Sequence, residues 1–305
     1  MADFKLIADG LAFPEGPIAM LDGSIVLVEI KAGNLTRVTM DGRKEVIAHL
    51  GGGPNGAAIG PDGACYVCND GGFEFHEVDG LTIPGDIPAD YSGGRIERVD
   101  LKTGKFEVLY RECNGIALNG PNDIVFDKEG GFWFTDLGKG RGRTQDRGGL
   151  YYARIDGSMI REVVFPITSP NGVGLSPDEK TVYVADTIPG RLWAFDLAAP
   201  GEVKPSGGLL PGRFVGSGPQ LCFFDSLALD VEGNICVATI FNGGITTFSP
   251  DGLKITHRPT DDFLTTNICF GGKDLKTAYI TLSSSGRLIE MDWPTGGLPL
   301  NFLNK

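Results

Sequence analysis

One short pattern occurs six times along the sequence, and this repeat constrains the fold more than any other feature. Each copy opens with Glu, Asp or Asn, passes through small or apolar residues to a turn such as Asp22-Gly23, and then enters a run of β-branched and aromatic residues. Successive copies start 40, 67, 49, 54 and 42 residues apart. A period of about 40 to 50 residues is typical of β-propeller blades. The opening residues are Glu15, Asn55, Asn122, Asn171, Asp225 and Asn267.

The repeat predicts an all-β fold, a six-bladed β-propeller with four-stranded antiparallel blades around a central channel. The six copies account for nearly all of residues 1–305, which we expect to form a single domain. The 46 glycines fit many tight turns between short strands, because glycine adopts positive φ angles without steric cost. Residues 3–8 are expected to add a strand to the last blade and close the ring.

The long 67-residue step between the second and third copies indicates an insertion at residues 71–93, called the lid below. It contains Phe73, Phe75, His76 and Tyr91, and we expect it to lie over one mouth of the channel. A smaller basic insertion covers residues 139–147, and residues 209–220 are interpreted as a third. The alternative for each is a tolerated surface loop.

Composition excludes several classes of function. The net charge of −12 argues against a nucleic-acid partner, which would require clustered Lys and Arg. No run of about 18 apolar residues predicts a membrane span, and no secretory signal is recognisable, so we expect a cytoplasmic protein, a monomer or small homo-oligomer. The six cysteines lie mostly in strand-like runs, which favours buried, reduced thiols. Cys65 and Cys68 form a C-x-x-C, but they should face opposite sides of one strand.

If the six opening residues occupy equivalent positions on the innermost strands, their side chains form a ring at one end of the channel. Carboxylate and amide oxygens are the ligands that hard cations prefer. With only His49, His76 and His257 in the chain, and no G-x-S-x-G or H-E-x-x-H motif, a histidine-based zinc centre or a Ser-His-Asp triad is disfavoured. The alternative is that Asn and Asp before a strand only satisfy local backbone groups.

Four of the openings resemble the metal-site motifs of the gluconolactonase, senescence-marker-protein and luciferin-regenerating-enzyme family, to which diisopropylfluorophosphatase is related. The resemblance covers essentially the full chain. It implies a six-bladed propeller that holds a divalent cation, often calcium, with zinc, manganese or iron(II) in some members, and that hydrolyses lactones. The segments are Phe13-Pro14-Glu15-Gly16-Pro17, Gly120-Pro121-Asn122-Asp123, Pro170-Asn171-Gly172 and Phe224-Asp225-Ser226.

Carried over residue by residue, the resemblance makes Glu15, Asn171 and Asp225 direct metal ligands, and Asn122 a fourth ligand or a substrate-positioning amide. Two departures bear on the substrate. Gly120 stands where sugar lactonases similar to the vertebrate enzymes carry arginine, and Cys269 stands near the last opening where the phosphatase branch has a histidine ligand for a second calcium.

The expected reaction is metal-dependent hydrolysis of a sugar-type or other small lactone. Asp225 is the expected catalytic residue that takes a proton from the attacking water, with a water activated by the cation as the alternative. The expected substrate-binding residues are Asn55, Asn122, Phe73, Phe75, His76 and Tyr91. Two alternatives remain: a phosphotriesterase or aryl esterase using the same site, and a non-catalytic binding propeller.

Overall fold

The computed structural model describes residues 4–208, 210–218 and 220–305. Within these residues the chain forms six antiparallel blade sheets, each with four strands in order from the channel outwards, together with three two-stranded sheets and no α-helix. The predicted six-bladed propeller is therefore confirmed. No helix in the described part of the chain could span a membrane.

Blades are numbered 1 to 6 by their innermost strands, which line the channel. The four strands of each blade follow one another in sequence, except that blade 6 takes its outer strand from the beginning of the chain. The innermost strands are Pro14–Ala19, Pro54–Ile59, Pro121–Phe126, Pro170–Leu175, Phe223–Leu229 and Thr265–Gly271. The second strands are Ile25–Glu29, Cys65–Asn69, Gly131–Asp136, Thr181–Asp186, Ile235–Ile240 and Thr277–Leu282.

The two outer strands of each blade complete the sheets. The third strands are Asn34–Val38, Arg95–Val99, Gly148–Arg154, Arg191–Ala199, Gly244–Phe248 and Arg287–Asp292. The outer strands are Lys44–His49, Phe106–Tyr110, Ile160–Ile167, Arg213–Ser217, Ile255–Pro259 and Lys5–Ala8. Short additional strands lie outside this pattern: Phe75–Val78 with Leu81–Pro84, Glu112–Cys113 with Ile116–Ala117, Gly140–Arg141 with Thr144–Gln145, and Glu202–Val203 beside blade 4.

The apolar core is divided into six clusters, one between each pair of neighbouring blades. Successive residues of a second strand point to opposite blades, because side chains alternate across a strand. Cys65 packs towards blade 1 and Cys68 towards blade 3, and all six cysteines are buried and unbonded to one another. Since both faces of every second strand are covered, these strands are apolar over most of their length rather than alternating, and four of them end in a polar residue: Glu29, Asn69, Asp136 and Asp186.

Strand Lys5–Ala8 pairs antiparallel with Arg287–Asp292 and closes the ring, as the sequence predicts for residues 3–8; Asp3 lies outside the described residues. Ile7 and Ala8 are buried in the cluster between blades 6 and 1. The closure therefore rests on apolar packing as well as on backbone hydrogen bonds.

The chain after blade 6 crosses the end of the channel opposite the predicted ring. Leu298 N donates to Leu229 O at 2.8 Å, and Asn301 Nδ2 donates to Phe126 O at 3.1 Å, so this segment is bonded to the far ends of two innermost strands. Leu303 is buried against the cluster between blades 1 and 2. We call residues 298–305 the tail plug.

The interpretation of residues 209–220 as an insertion is wrong in part. Within this stretch Arg213–Ser217 is the outer strand of blade 4, paired with Arg191–Ala199. The pairing is irregular between Leu192 and Trp193, which obscures the place of this strand in the repeat. Leu209 and Pro219 lie outside the described residues.

We expect Ile7→Ala to lower the free energy of unfolding by about 2 to 4 kcal/mol, because it removes a buried side chain from the closing strand. Ile7 is 8% exposed, whereas its neighbour Leu6 is 47% exposed, so Leu6→Ala is the matched control and should change stability far less. Urea unfolding of both variants tests this. A loss of unfolding free energy in Ile7→Ala no larger than that in Leu6→Ala would contradict a stabilising role for the buried face of the closing strand.

Candidate metal and active site

The six opening residues are all the second or third residue of an innermost strand, and each innermost strand has a bulge at this point. The pairing register shifts at Glu15/Ile18, Pro54/Ala57, Pro121/Ile124, Pro170/Val173, Phe224/Leu227 and Thr265/Asn267. A β-bulge turns a side chain away from the regular pleat and is frequent beside functional sites. The bulges therefore explain how polar residues occur at the same place in six otherwise apolar strands.

Neighbouring innermost strands approach one another closely at this end of the channel. Gly16 has a φ of +51°, and a Cβ on it would lie 2.5 Å from Asn55 O in blade 2. A Cβ on Gly172 would lie 2.7 Å from Asp225 O in blade 5. Only glycine fits such contacts, so the residues after Glu15 and Asn171 keep this end of the channel narrow.

The structure brings several of the predicted ring residues into direct contact. Asn267 Nδ2 donates to Glu15 Oε2 at 2.7 Å across the interface of blades 6 and 1. Ser226 Oγ, in the residue after Asp225, donates to Asn171 Oδ1 at 3.5 Å across the interface of blades 4 and 5. These contacts place Glu15, Asn171, Asp225 and Asn267 around one end of the channel.

The remaining two asparagines differ from each other. Asn122 is buried, and its Oδ1 has no hydrogen-bond partner among the described residues. Asn55 is also buried, but its Nδ2 lies 3.4 Å from Asp70 Oδ2, a residue that follows the second strand of blade 2. Asn122 thus offers an unused acceptor, whereas Asn55 is joined to a carboxylate at the base of the lid.

Sequence reasoning missed a third carboxylate in the ring, that of Asp123. Its Oδ1 accepts from Ile124 N at 2.9 Å and its Oδ2 from Val173 N at 3.3 Å, which links blade 3 to blade 4. The signal was present in the sequence, because the residue after the opening is glycine in three copies and aspartate only here. The aspartate therefore adds a third carboxylate at a position where three other blades carry glycine.

Burial dominates the electrostatics of the ring. It raises the pKa of Glu15 from 4.5 to about 7, against the lowering effect of hydrogen bonds from Asn267 and Gly16. Burial, followed by the nearby charge of Glu15, raises the pKa of Asp123 from 3.8 to about 7. The same two causes raise the pKa of Asp225 well above its ordinary value, although part of the Asp225 surface remains open to the channel. Three carboxyl groups therefore share a volume that disfavours their ionisation.

The chemistry of this donor set fits a hard divalent cation. The described residues contain no group of three or more His, Cys, Asp and Glu side chains arranged as a metal site. The candidate ligands instead combine two of the three ring carboxylates, Glu15 and Asp225, with amide oxygens, including the buried Asn122 acceptor that no described residue satisfies. A divalent cation would neutralise both carboxylates and satisfy that acceptor.

The lid lies at the ring end of the channel. Phe75 packs on Phe13, with 5.2 Å between ring centroids, and Phe13 directly precedes Pro14 and Glu15. Phe73 packs on Phe75 at 6.3 Å, and Thr82 N donates to Ser284 O of blade 6 at 2.8 Å. Together these side chains form an apolar group that we call the mouth cluster: Phe13, Ile30, Leu264, Phe73, Phe75, Ile83, Ile240 and Phe263.

Two of the predicted substrate-binding residues have other surroundings. His76 is exposed on the lid hairpin, where it is paired with Ile83. Tyr91 donates its hydroxyl to Asn119 O at 2.6 Å, and its ring packs on Gly71. Tyr91 therefore fastens the end of the lid to blade 3.

The structure contains a cleft beside the lid and a cavity inside the channel. A cleft of about 240 Å³ lies on the lid side and is bordered by Phe73, Lys139, Ser169 and Ile188. A cavity of about 110 Å³ lies within the channel, with Asp123 and Asn267 near one end and the tail plug at the other. Ser169 in the cleft wall stands two residues before Asn171 in the chain, and the mouth opposite the ring is filled by the tail plug.

Comparison with known proteins agrees with this arrangement. The family model described as SMP-30/gluconolactonase/LRE-like region matches residues 13–284, which include every ring residue. The chain belongs to this family. The resemblance noted in the sequence is thereby confirmed.

Curated relatives include lactonase drp35 of Staphylococcus haemolyticus, 32% identical over 256 residues that cover 82% of this chain and 70% of the relative. Lactonase drp35 of Staphylococcus epidermidis is 30% identical over 263 residues, covering 84% and 70%.

Solved structures share the fold at low sequence identity. A gluconolactonase from Xanthomonas campestris has a TM-score of 0.75 and 22% identity, covering 96% of this chain and 90% of that one. Regucalcin from Agrobacterium tumefaciens, described as a calcium-binding protein, has a TM-score of 0.75 and 20% identity, covering 100% and 98%. These likenesses establish the propeller fold.

The raised pKa values predict that the cation-free protein becomes less stable as pH rises. Between the ordinary pKa of 4.5 and the folded pKa of about 7, Glu15 ionises in the unfolded chain but stays protonated in the folded one, so unfolding is favoured progressively. Glu15→Gln should flatten this slope and, at pH 8, stabilise the chelator-treated protein by about 2 to 3 kcal/mol.

The matched control is Glu45→Gln, because Glu45 is an exposed carboxylate on the outer strand of the same blade. Urea unfolding at pH 5, 7 and 8 in the presence of chelator measures the slope. A Glu15→Gln variant that retains the full pH dependence would contradict the assignment.

Proposed function

We propose that this protein hydrolyses a lactone at the ring end of its channel, with a divalent cation bound by Glu15, Asn122, Asn171 and Asp225. One observation carries the proposal: the carboxylates of Glu15 and Asp225 and the unsatisfied amide oxygen of Asn122 lie at one end of the channel, in a chain of the SMP-30/gluconolactonase/LRE-like family. The lactonase drp35 relatives support the choice of reaction.

Calcium is the first candidate for the cation, with zinc, manganese and iron(II) as alternatives. An all-oxygen donor set suits calcium, and one structural neighbour, regucalcin, is described as calcium-binding. When bound, the cation supplies Lewis-acid polarisation of the lactone carbonyl and stabilises the developing oxyanion, which is worth several kcal/mol.

In this proposal Asp225 accepts and returns the proton. Its side chain is partly exposed, whereas that of Glu15 is buried, and the nearby Asn171 side chain favours the ionised form of the carboxyl. In the reaction the oxygen of water bonds to the carbonyl carbon, and Asp225 accepts the proton that this water loses. The ring C–O ester bond then breaks, the proton passes to the leaving alkoxide, and a hydroxy acid is released.

The cleft on the lid side is the proposed substrate site. Phe73 borders it, and Phe75 joins Phe73 to the mouth cluster, so one face of a bound lactone would contact aromatic carbon and be shielded from water. Two asparagines would orient polar atoms of the substrate: Asn122 and Asn55. The amide of Asn55 would itself be held by Asp70. His76, exposed on the lid hairpin, is a candidate contact for the substrate. Tyr91 would affect substrate binding indirectly, because it holds the end of the lid.

We expect Asp225→Asn to lower kcat by about 100-fold or more, because the proton acceptor is lost. Asp41→Asn, which changes an exposed carboxylate in a turn of blade 1, is the control and should leave kcat unchanged. Metal content is measured on the same preparations, so that loss of the cation is distinguished from loss of the base. Unchanged turnover in Asp225→Asn would remove this residue from the mechanism.

The function itself is tested with a panel of γ- and δ-lactones, an aryl ester and a phosphotriester, each assayed before and after chelation and after calcium is restored. Lactone hydrolysis that is lost on chelation and recovered with cation is expected. Full activity after thorough metal removal would overturn the cation assignment. Hydrolysis of the phosphotriester or aryl ester alone would identify a different hydrolase, and a metal-loaded protein inert on the whole panel would favour a binding propeller.

A further inference from the structure

Lys139 is a buried cation between the lid and the propeller. It lies in blade 3 directly before a short hairpin, and its side chain is only 2% exposed. Its Nζ lies 3.2 Å from Asp70 Oδ1, donates to Gly72 O at 2.9 Å, and sits 3.6 Å from the centroid of the Phe73 ring. Gly72 and Phe73 are the second and third residues of the lid, and Asp70 immediately precedes the lid.

The Lys139 backbone is fixed by the hairpin that follows it. Lys139 N donates to Asp146 Oδ2 at 3.2 Å, and Asp146 N donates back to Lys139 O at 3.0 Å. Asp146 also accepts from Asn119 Nδ2 at 3.0 Å, and Asn119 is the residue that holds Tyr91 at the other end of the lid. One small hairpin therefore fixes both ends of the lid.

Asp70 connects this arrangement to the ring. Its Oδ1 accepts from Gly72 N at 2.6 Å as well as from Lys139, while its Oδ2 faces Asn55 Nδ2 at 3.4 Å. Gly53, two residues before Asn55, packs so closely on Asp70 and Gly72 that a Cβ would lie 2.3 Å from Asp70 Oδ1. Movement of Asp70 would consequently disturb both the lid base and the Asn55 side chain.

A buried ammonium group requires compensation. Burial lowers the pKa of Lys139, and the carboxylate of Asp70 acts in the opposite direction. The flat face of Phe73 provides a further favourable contact for the cation, one that gains strength in a dry environment. Lys139 contacts none of the proposed metal ligands: Glu15, Asn122, Asn171 and Asp225. Any effect of this buried lysine on the site therefore acts through the groups that it positions.

We propose that Lys139 is a positioning residue of the active site: paired with Asp70, it holds Phe73 over the cleft and Asn55 in the ring, and so sets how tightly a lactone with an apolar substituent is bound. This inference rests on the proposed function for its kinetic consequence. The structural consequence, a lid held by one buried ammonium, is independent of it.

The test compares Lys139→Met, Lys139→Arg and Asp70→Asn with the exposed control Lys102→Met. For a lactone with an apolar substituent, Lys139→Met should raise KM about tenfold, the change expected from loss of a desolvated cation–π contact, while kcat changes less than threefold. An unsubstituted lactone should show a smaller change in KM. Lys139→Arg should restore part of the affinity, because it keeps the charge and the aromatic contact.

Amide hydrogen exchange supplies a readout that needs no substrate. Lys139→Met should speed exchange in residues 71–93 while the innermost strands remain protected, and Lys102→Met should leave the lid unchanged. If Lys139→Met does not fold, Asp70→Asn, which removes the charge at nearly constant size, is measured in its place.

Wild-type exchange in the lid and wild-type KM for both lactones in these variants would overturn the proposal. Equal loss of kcat and affinity on both substrates, without rescue by arginine, would reduce Lys139 to a stability role and overturn it as well. A wild-type protein that hydrolyses no lactone would refute the proposed function but leave the exchange result to decide on the lid.

Discussion

Burial of like charges at one end of a narrow channel is the constraint on which the site depends. Glu15, Asp123 and Asp225 lie near one another, away from bulk water, and each has a raised pKa as a result. Such a cluster is stable when its carboxyl groups are protonated or when a cation neutralises their charge. One divalent ion compensates the same negative charge as two protons. Close packing of the innermost strands, which Gly16 and Gly172 permit, holds the carboxylates together.

Much of the fold could be predicted from the sequence, because each blade is made of hairpins whose strands are adjacent in the chain. Turns such as Asp22-Gly23 and the apolar second strands recur at nearly fixed offsets from the polar openings. The positions of Glu15, Asn171 and Asp225 at one end of the channel follow from equivalent places in that repeat. The hydrogen bonds of the ring side chains could not be predicted from the repeat, because these bonds depend on the bulges that redirect each side chain.

Contacts between insertions could not be predicted in the same way. Lys139 and Gly72 are 67 positions apart in different blades, and no periodicity relates them. The sequence shows residues 139–147 only as a basic loop, for which an exposed surface is the ordinary expectation. Burial of Lys139 depends on Asp70 and on the shape of the lid, both of which are tertiary features. The outer strand Arg213–Ser217 was also missed, because its irregular pairing with Arg191–Ala199 is a tertiary feature as well.

Ring closure has a consequence for the order of folding. Lys5 and Glu290, which pair in blade 6, are 285 positions apart, whereas the strands of blades 1 to 5 pair with near neighbours along the chain. Long-range pairing carries the larger entropic cost and forms late. The hydrogen bond from Asn267 to Glu15 crosses the same junction between blades 6 and 1. The junction between blades 6 and 1, which forms last, thus also completes the ring of oxygen ligands. A molecule in which this junction is open would lack one side of the candidate site.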